Sequence, residues 1–141
     1  MIVLDTNVVS EPTRKEPDPG VVAWLDALSA EETAITAITA AELAYGVRRL
    51  PDGRRQAELA RAVHALIRDE FAGRVLPFDV RAVELYAEIV AGRERAGRPI
   101  STADAQIAAI CLAHSATLAT RNTADFTATG VSLIDPWMAD S

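Results

Sequence analysis

Met1-Ile2-Val3-Leu4-Asp5-Thr6-Asn7 opens the chain. Three apolar residues, two of them β-branched, run straight into a carboxylate. A short apolar run with no alternation is the pattern of a strand buried on both faces, as in a parallel sheet. Asp5 then stands at the carboxyl end of that strand. The same pattern recurs outward from it in Thr33-Ala34-Ile35-Thr36, in Val75-Leu76-Pro77-Phe78 before Asp79, in Thr117-Leu118-Ala119-Thr120, and in Val131-Ser132-Leu133-Ile134 before Asp135-Pro136. Helical spacing fills the intervals. Residues 20–28 place Val21, Trp24, Leu25 and Leu28 on one side, and 39–50 do so with Leu43, Val47 and Leu50. Residues 54–71 form a long amphipathic stretch through Leu59, Val63, Leu66 and Ile67. In 81–96 the pattern points Val83, Tyr86, Ala87 and Val90 inward, and 102–114 follows as a last helix. Breaks fall in the proline-rich segment 11–20, at Pro51-Asp52-Gly53, at Gly97-Arg98-Pro99 and at Gly130.

Strands alternating with helices predict an α/β fold: one domain over residues 1–141, with a central, mainly parallel sheet of four to five short strands and helices on both faces. A chain of 141 residues that is 50% hydrophobic can bury a core at that size. Aromatics at 5% favour closely packed helices over an aromatic-rich sandwich. No apolar run approaches the ~20 residues of a membrane span, and the N-terminus lacks the basic segment of a signal peptide. The single Cys111 fits a reducing compartment, the cytoplasm, and reads as a small buried hydrophobe. His64 and His114 lack metal-ligand spacing and read as structural. Lys+Arg number 14 against 20 Asp+Glu, a net charge of −6. Taken alone, that acidity opposes a nucleic-acid partner.

In such sheets the ligand crevice lies at the carboxyl ends of the strands. Four acids are expected there. Asp5 follows the first strand, where it also suits a helix N-cap. Glu42, in Ile38-Thr39-Ala40-Ala41-Glu42-Leu43, is expected in the first turn of its helix, where Thr39-x-x-Glu42 matches a capping box. Asp104, in Ser101-Thr102-Ala103-Asp104-Ala105-Gln106-Ile107, also suits a first turn. Its neighbours Ile107 and Ala108 are apolar, so it stands on the stripe facing the sheet and needs a positive partner. Asp125 follows the fourth strand in Thr120-Arg121-Asn122-Thr123-Ala124-Asp125-Phe126, where turn chemistry also explains it. Converging carboxylates repel one another unless a cation lies between them. Hard oxygen donors suit Mg²⁺ or Mn²⁺, and such a site supports phosphodiester hydrolysis.

Leu4-Asp5-Thr6-Asn7, Ala41-Glu42-Leu43-x-x-Gly46, Asp104-Ala105-Gln106-Ile107-Ala108-Ala109 and Thr120-Arg121-Asn122-x-x-Asp125-Phe126, in that order, resemble a PIN-domain ribonuclease. More narrowly, the chain is similar to the VapC toxins of bacterial type II toxin–antitoxin pairs, in their FitB-like branch. The resemblance runs from Met1 to about Pro136. It implies Mg²⁺ or Mn²⁺ held by Asp5, Glu42, Asp104 and a fourth polar residue, with Thr6 and Ser101 assisting by hydrogen bonds. It implies endonucleolytic RNA cleavage by metal-activated water. It also implies a homodimer, and a VapB-like antitoxin whose basic tail enters the acidic groove. It implies that promoter DNA is bound only through the antitoxin complex.

The sequence departs from the family at the fourth ligand, where many relatives carry an acid and this chain has Asn122. Asp125 is the nearest acid and is expected to supply the charge, with Asn122 as helper. Arg121 beside it suits a phosphate contact. Arg48, Arg49, Arg54, Arg55 and Arg61 read as solvated helix surface. Tyr45, Trp24 and Trp137 read as core or interface residues. A different class of reading remains, a catalytically silent module whose acidic groove holds a basic peptide. A phosphatase-like site is disfavoured, because Asp5-Thr6-Asn7 lacks a second acid two residues on. If the four acids form one groove, the rest of the chain is close to neutral. Divalent ions would then convert that groove into a phosphate-receptive surface.

Overall fold

The computed structural model describes residues 1–138. Five strands, β1 (Ile2–Leu4), β2 (Thr33–Thr36), β3 (Val75–Leu76), β4 (Thr117–Ala119) and β5 (Ser132–Ile134), form one sheet in the order β3-β2-β1-β4-β5. Every pairing is parallel. β1 is central: Ile2 pairs with Thr33 on one side and with Thr117 on the other. The chain builds outward from β1 through β2 and β3, then returns to its other side with β4 and β5. The strand order therefore reverses between β1 and β4, where α/β sheets open a crevice at their carboxyl ends.

Side-chain alternation divides the core into two. Val3, Ala34, Leu76 and Leu118 face one layer, made by α5 (Val80–Arg95) and α6 (Thr102–Ala113). Leu4, Ile35, Val75 and Ala119 face the other. There they meet Val8 of α1 (Thr6–Val9), Trp24 and Leu25 of α2 (Pro19–Asp26) and Ala40 of α3 (Ala37–Arg48). Neighbours along a strand thus bury opposite faces, which is why the strands read as unbroken apolar runs. In α6, Ala105, Ile107, Ala108, Ala109, Ile110 and Cys111 are all buried. Small side chains let this helix lie close to the sheet. Burial pushes the Cys111 thiol up to about 12, which makes it unreactive.

Three sequence expectations shift. β3 spans Val75–Leu76 alone, because Pro77 has no N–H to continue a ladder. The long helix over 54–71 is α4 (Arg54–Ala65) followed by a π turn, Leu66–Glu70, closed by Phe71 N–H on the Leu66 carbonyl at 2.9 Å. In α5 the buried positions are Ala82, Ile89 and Arg93; Val83 is 49% exposed and Ala87 is exposed. Tyr86 and Val90 pack against the core as expected, but the stripe is centred one position away from the apolar pattern because it includes an arginine, which hydropathy counts as surface. Tyr45 is likewise exposed, whereas Trp24 and Trp137 are half-buried.

The proline-rich segment is closed by Glu11, a buried carboxylate. It accepts the Asp18 N–H at 2.7 Å and Arg14 Nη1 at 3.2 Å. The Asp18 N–H and Arg14 hold its carboxyl below the ordinary value of 4.5. A lowered carboxyl contributes stability above its unfolded value and loses it as pH falls through the folded one. Glu11→Gln should therefore lower Tm at pH 7, and the difference from the wild type should shrink below pH 4.5. Thermal melts across pH check this; a gap that widens in acid would contradict it.

Candidate functional site

Asp5 ends β1 and begins α1. Its N–H makes the last ladder bond, to the Ala119 carbonyl at 2.9 Å. Its carboxylate then divides two roles. Oδ1 caps α1 by accepting Thr6 N–H at 2.9 Å, and Oδ2 accepts the Thr120 hydroxyl at 2.7 Å. The helix-cap reading and the functional one therefore coexist in a side chain only 6% exposed. Burial holds the Asp5 carboxyl above its usual value. The Thr120 and Thr6 hydrogen bonds oppose that rise, and the charges of Glu42 and Asp125 add to it.

Glu42 is not where capping chemistry placed it. The N-cap of α3 is Thr36, whose hydroxyl accepts Thr39 N–H at 3.1 Å. Glu42 therefore lies in the second turn, and the Thr39–Glu42 capping box does not form. Thr39 is buried instead, with its hydroxyl 3.4 Å from that of Thr6. Glu42 is exposed, and Oε1 accepts the Thr6 hydroxyl at 2.7 Å. Its position is thus explained by the site and not by its own helix.

Asp104 lies in the first turn of α6, as expected. Ser101 is the N-cap and accepts Asp104 N–H at 3.1 Å. Burial raises the half-buried Asp104 carboxyl, and the charges of Asp5 and Asp125 raise it further; Ser101 and Arg93 oppose. The expected positive partner does not form an ion pair with Asp104 among the described residues; the charge of Arg93 acts on it weakly, from a distance.

After β4 the chain bends into a 3-10 turn, Thr123–Phe126. Phe126 is buried and anchors it. Asn122 and Asp125 both present exposed side chains. The Asn122 N–H is tied to Thr120 Oγ1 at 3.1 Å, so one hydroxyl links this turn to Asp5. Asp125 is close enough for its charge to be felt at both Asp5 and Asp104. Arg121 is exposed, with its N–H on Asn7 Oδ1 at 3.2 Å and its guanidinium 4.9 Å from the Trp137 ring centroid. That stacking directs the cation by a cation–π contact.

The structure thus brings Asp5, Glu42, Asp104 and Asp125 to one edge. Among the described residues, no three acidic, histidine or cysteine side chains already stand in metal-ligand geometry. The donor chemistry nonetheless fits a hard divalent cation. Two carboxyls are held above their usual value while neighbouring acids repel them, and an ion accepting carboxylate oxygens would relieve both costs. Thr120, Asn7, Thr39 and Arg93 belong to the site's framework and were missed. Thr120 and Asn7 lie within the quoted strand exits; nothing in the local sequence marks Arg93. Among the described residues no helix is long and apolar enough to cross a membrane.

The PIN-domain family profile matches residues 2–131. The chain is 44% identical to the VapC ribonuclease Y4jK of Sinorhizobium fredii, over 97% of this chain and 98% of that protein. It is 45% identical to Toxin FitB of Neisseria gonorrhoeae, over 97% and 99%. A solved structure of FitAB bound to an IR36 DNA fragment contains a chain that superposes with a TM-score of 0.94 at 43% identity, covering 100% of this chain and 99% of that one.

Thr120→Val keeps the shape of the side chain but removes one donor and one acceptor. It should cost about 1–3 kcal/mol in urea denaturation, since it leaves buried polar groups unpaired. Amides 121–126 should also exchange faster. Unchanged stability and exchange would show that this hydroxyl does not hold the turn.

Proposed function

Because this chain belongs to the PIN-domain family, we propose that it is a metal-dependent endoribonuclease, a VapC-like toxin neutralised by a cognate antitoxin. The observation that carries the reading is the convergence of four acids at the point where strand order reverses, with Asp5 raised by burial and the charges of Glu42 and Asp125, and Asp104 by burial and the charges of Asp5 and Asp125. Asp5, Glu42 and Asp104 would hold Mg²⁺ or Mn²⁺, with Asp125 as the fourth charge and Asn122 as a neutral oxygen beside it. Such an ion, when bound, lowers the pKa of a water and stabilises charge developing on the phosphodiester.

The chain's own groups do the positioning. Thr120 and Thr6 fix both oxygens of Asp5. The Thr6 hydroxyl holds Glu42 toward the same edge. Ser101 fixes the start of the helix that carries Asp104. Arg121, stacked on Trp137, presents a cation for a backbone phosphate. The similarity to a VapC ribonuclease and to a toxin over nearly the whole chain supports the activity.

The same electrostatics govern partners. Without a cation, the acidic groove attracts a basic segment, which suits the tail of a VapB-like antitoxin. With the ion bound, it accepts RNA phosphates. The FitAB–DNA structure supports an antitoxin complex that engages DNA; promoter binding through the antitoxin, a homodimer and a cytoplasmic location complete the proposal. One domain comprises residues 1–141.

Asp5→Asn or Asp104→Asn should abolish Mn²⁺-dependent RNA cleavage and growth arrest while circular dichroism stays unchanged. Full cleavage by Asp5→Asn would overturn the mechanism. At the fourth position, Asp125→Ala should weaken Mn²⁺ binding more than Asn122→Ala; the reverse order would assign the role to Asn122. Absence of Mg²⁺ and Mn²⁺ binding in calorimetry of the partner-free protein would favour the silent acidic-groove module.

A further inference from the structure

Arg93 is the one buried cation among the described residues. It lies in the last turn of α5, only 6% exposed, and among the described residues it forms no ion pair within 4 Å with a carboxylate. All of its recorded hydrogen bonds go to main-chain carbonyls. Nε donates to Arg98 O at 2.6 Å, and Nη1 donates to Asp125 O at 3.0 Å and Thr127 O at 2.9 Å. The last two carbonyls belong to the turn after β4, more than thirty residues away in sequence.

Burying a guanidinium without an ion pair is costly, so the arrangement needs a reason. A surface ion pair does not explain it, and neither does helix capping. The end of α5 is already closed by Arg98 N–H on the Arg93 carbonyl at 2.9 Å, across Gly97 at φ +71°. This fixes the Arg98 carbonyl, so the fork rests on a rigid support at one end and grips the turn at the other. The gripped turn holds strained backbone: Ala128, immediately after Thr127, has φ +63°. A non-glycine residue persists in that region only where its surroundings over-determine it. Two Arg93 bonds before it and the Thr129 hydroxyl on Phe126 O at 2.7 Å supply that constraint. The same residue that grips the turn also lies within electrostatic reach of Asp104.

We propose that Arg93 is a positioning residue for the acidic site: its guanidinium holds the Asp125 and Thr127 carbonyls, and so sets the turn that presents Asn122 and Asp125 opposite Asp5 and Asp104. It touches neither substrate nor ion. The inference rests on the metal-site reading above, with Arg93 acting through the position of Asp125.

Two measurements test it. In wild-type protein, NMR during Mg²⁺ titration should show the Arg93 Nε–H resonance shifting together with the Asp5 and Asp104 amides. Shifts at Asp5 and Asp104 without Arg93 would overturn the role of Arg93 and leave the metal site standing. Absence of shifts at all three would overturn the metal-site reading, and the Arg93 role with it. The second measurement is Mn²⁺ calorimetry, well below Tm, on Arg93→Lys, Asp125→Ala and the double variant. Arg93→Lys should weaken Mn²⁺ ~10-fold, as loss of an outer partner does at metal sites. The double variant should bind as Asp125→Ala does, because interacting groups are not additive. A folded Arg93→Lys protein with unchanged Mn²⁺ affinity, or strictly additive losses, would make Arg93 structural only. If Arg93→Lys does not fold, the wild-type titration decides alone.

Discussion

The 2.7 Å hydrogen bond from Thr120 to Asp5 spans the place where the sheet reverses its strand order. On one side stands β1, the first strand of the chain and the centre of the sheet. On the other stands β4, more than a hundred residues later. The bond requires both strands to end level, which the Ala119–Leu4 register and the Asp5 N–H on Ala119 O provide. It also engages a buried carboxylate that feels the charges of Glu42 and Asp125. Thr120 accepts Asn122 N–H with the same oxygen, so placement of the last acidic turn depends on it as well. The helices that carry Glu42 and Asp104 start from caps at Thr36 and Ser101, and α6 packs its small residues on the sheet face beside β1 and β4.

The resulting site is electrostatically unsettled by itself. Asp5 and Asp104 are desolvated, and each is disfavoured as an anion by its neighbours. The Thr120 hydroxyl and the Thr6 N–H at Asp5, and Ser101 and the charge of Arg93 at Asp104, offset this only in part. A fold holding such tension has given up stability that apolar residues could have supplied. On the proposed reading a bound cation would recover it, and so would a basic peptide. On that reading a metal-dependent nuclease and a tail-inhibited toxin would be two consequences of one charge distribution. The net charge of −6, which opposes a nucleic-acid partner when spread evenly, favours one when gathered at a cation site.

Strand positions were legible because burial on both faces leaves an unambiguous apolar run, as in Ile2–Leu4. Asp5 and Asp104 were legible because each sits at a defined place in that pattern: a strand exit and a first turn beside apolar neighbours. Glu42 was placed correctly in space but one turn wrong in its helix. Thr36 and Thr39 are both competent caps and both fully buried; what distinguishes them is that Thr36 is extended and its hydroxyl accepts Thr39 N–H, so the helix begins at Ala37. The face of α5 was misread for a related reason. Its inward stripe passes through Arg93, and a buried arginine held by carbonyls from distant segments leaves no local signal. The π turn at Leu66–Glu70 was invisible for a similar reason. It depends on the tertiary contacts of Arg74, which reaches Thr33 O at 2.8 Å and Glu70 O at 2.7 Å.

The most direct test of the central claim is the anomalous difference map of a crystal grown with Mn²⁺. A peak is expected at the carboxyl edge between β1 and β4, with oxygens of Asp5 and Asp104 at direct coordination distance, roughly 2.0–2.3 Å for a hard divalent ion. Glu42 should have left Thr6 to face the ion, and Asp125 should be drawn to the same side. A Mn²⁺ peak elsewhere on the chain, with Asp5 still bonded only to Thr6 and Thr120, would contradict it.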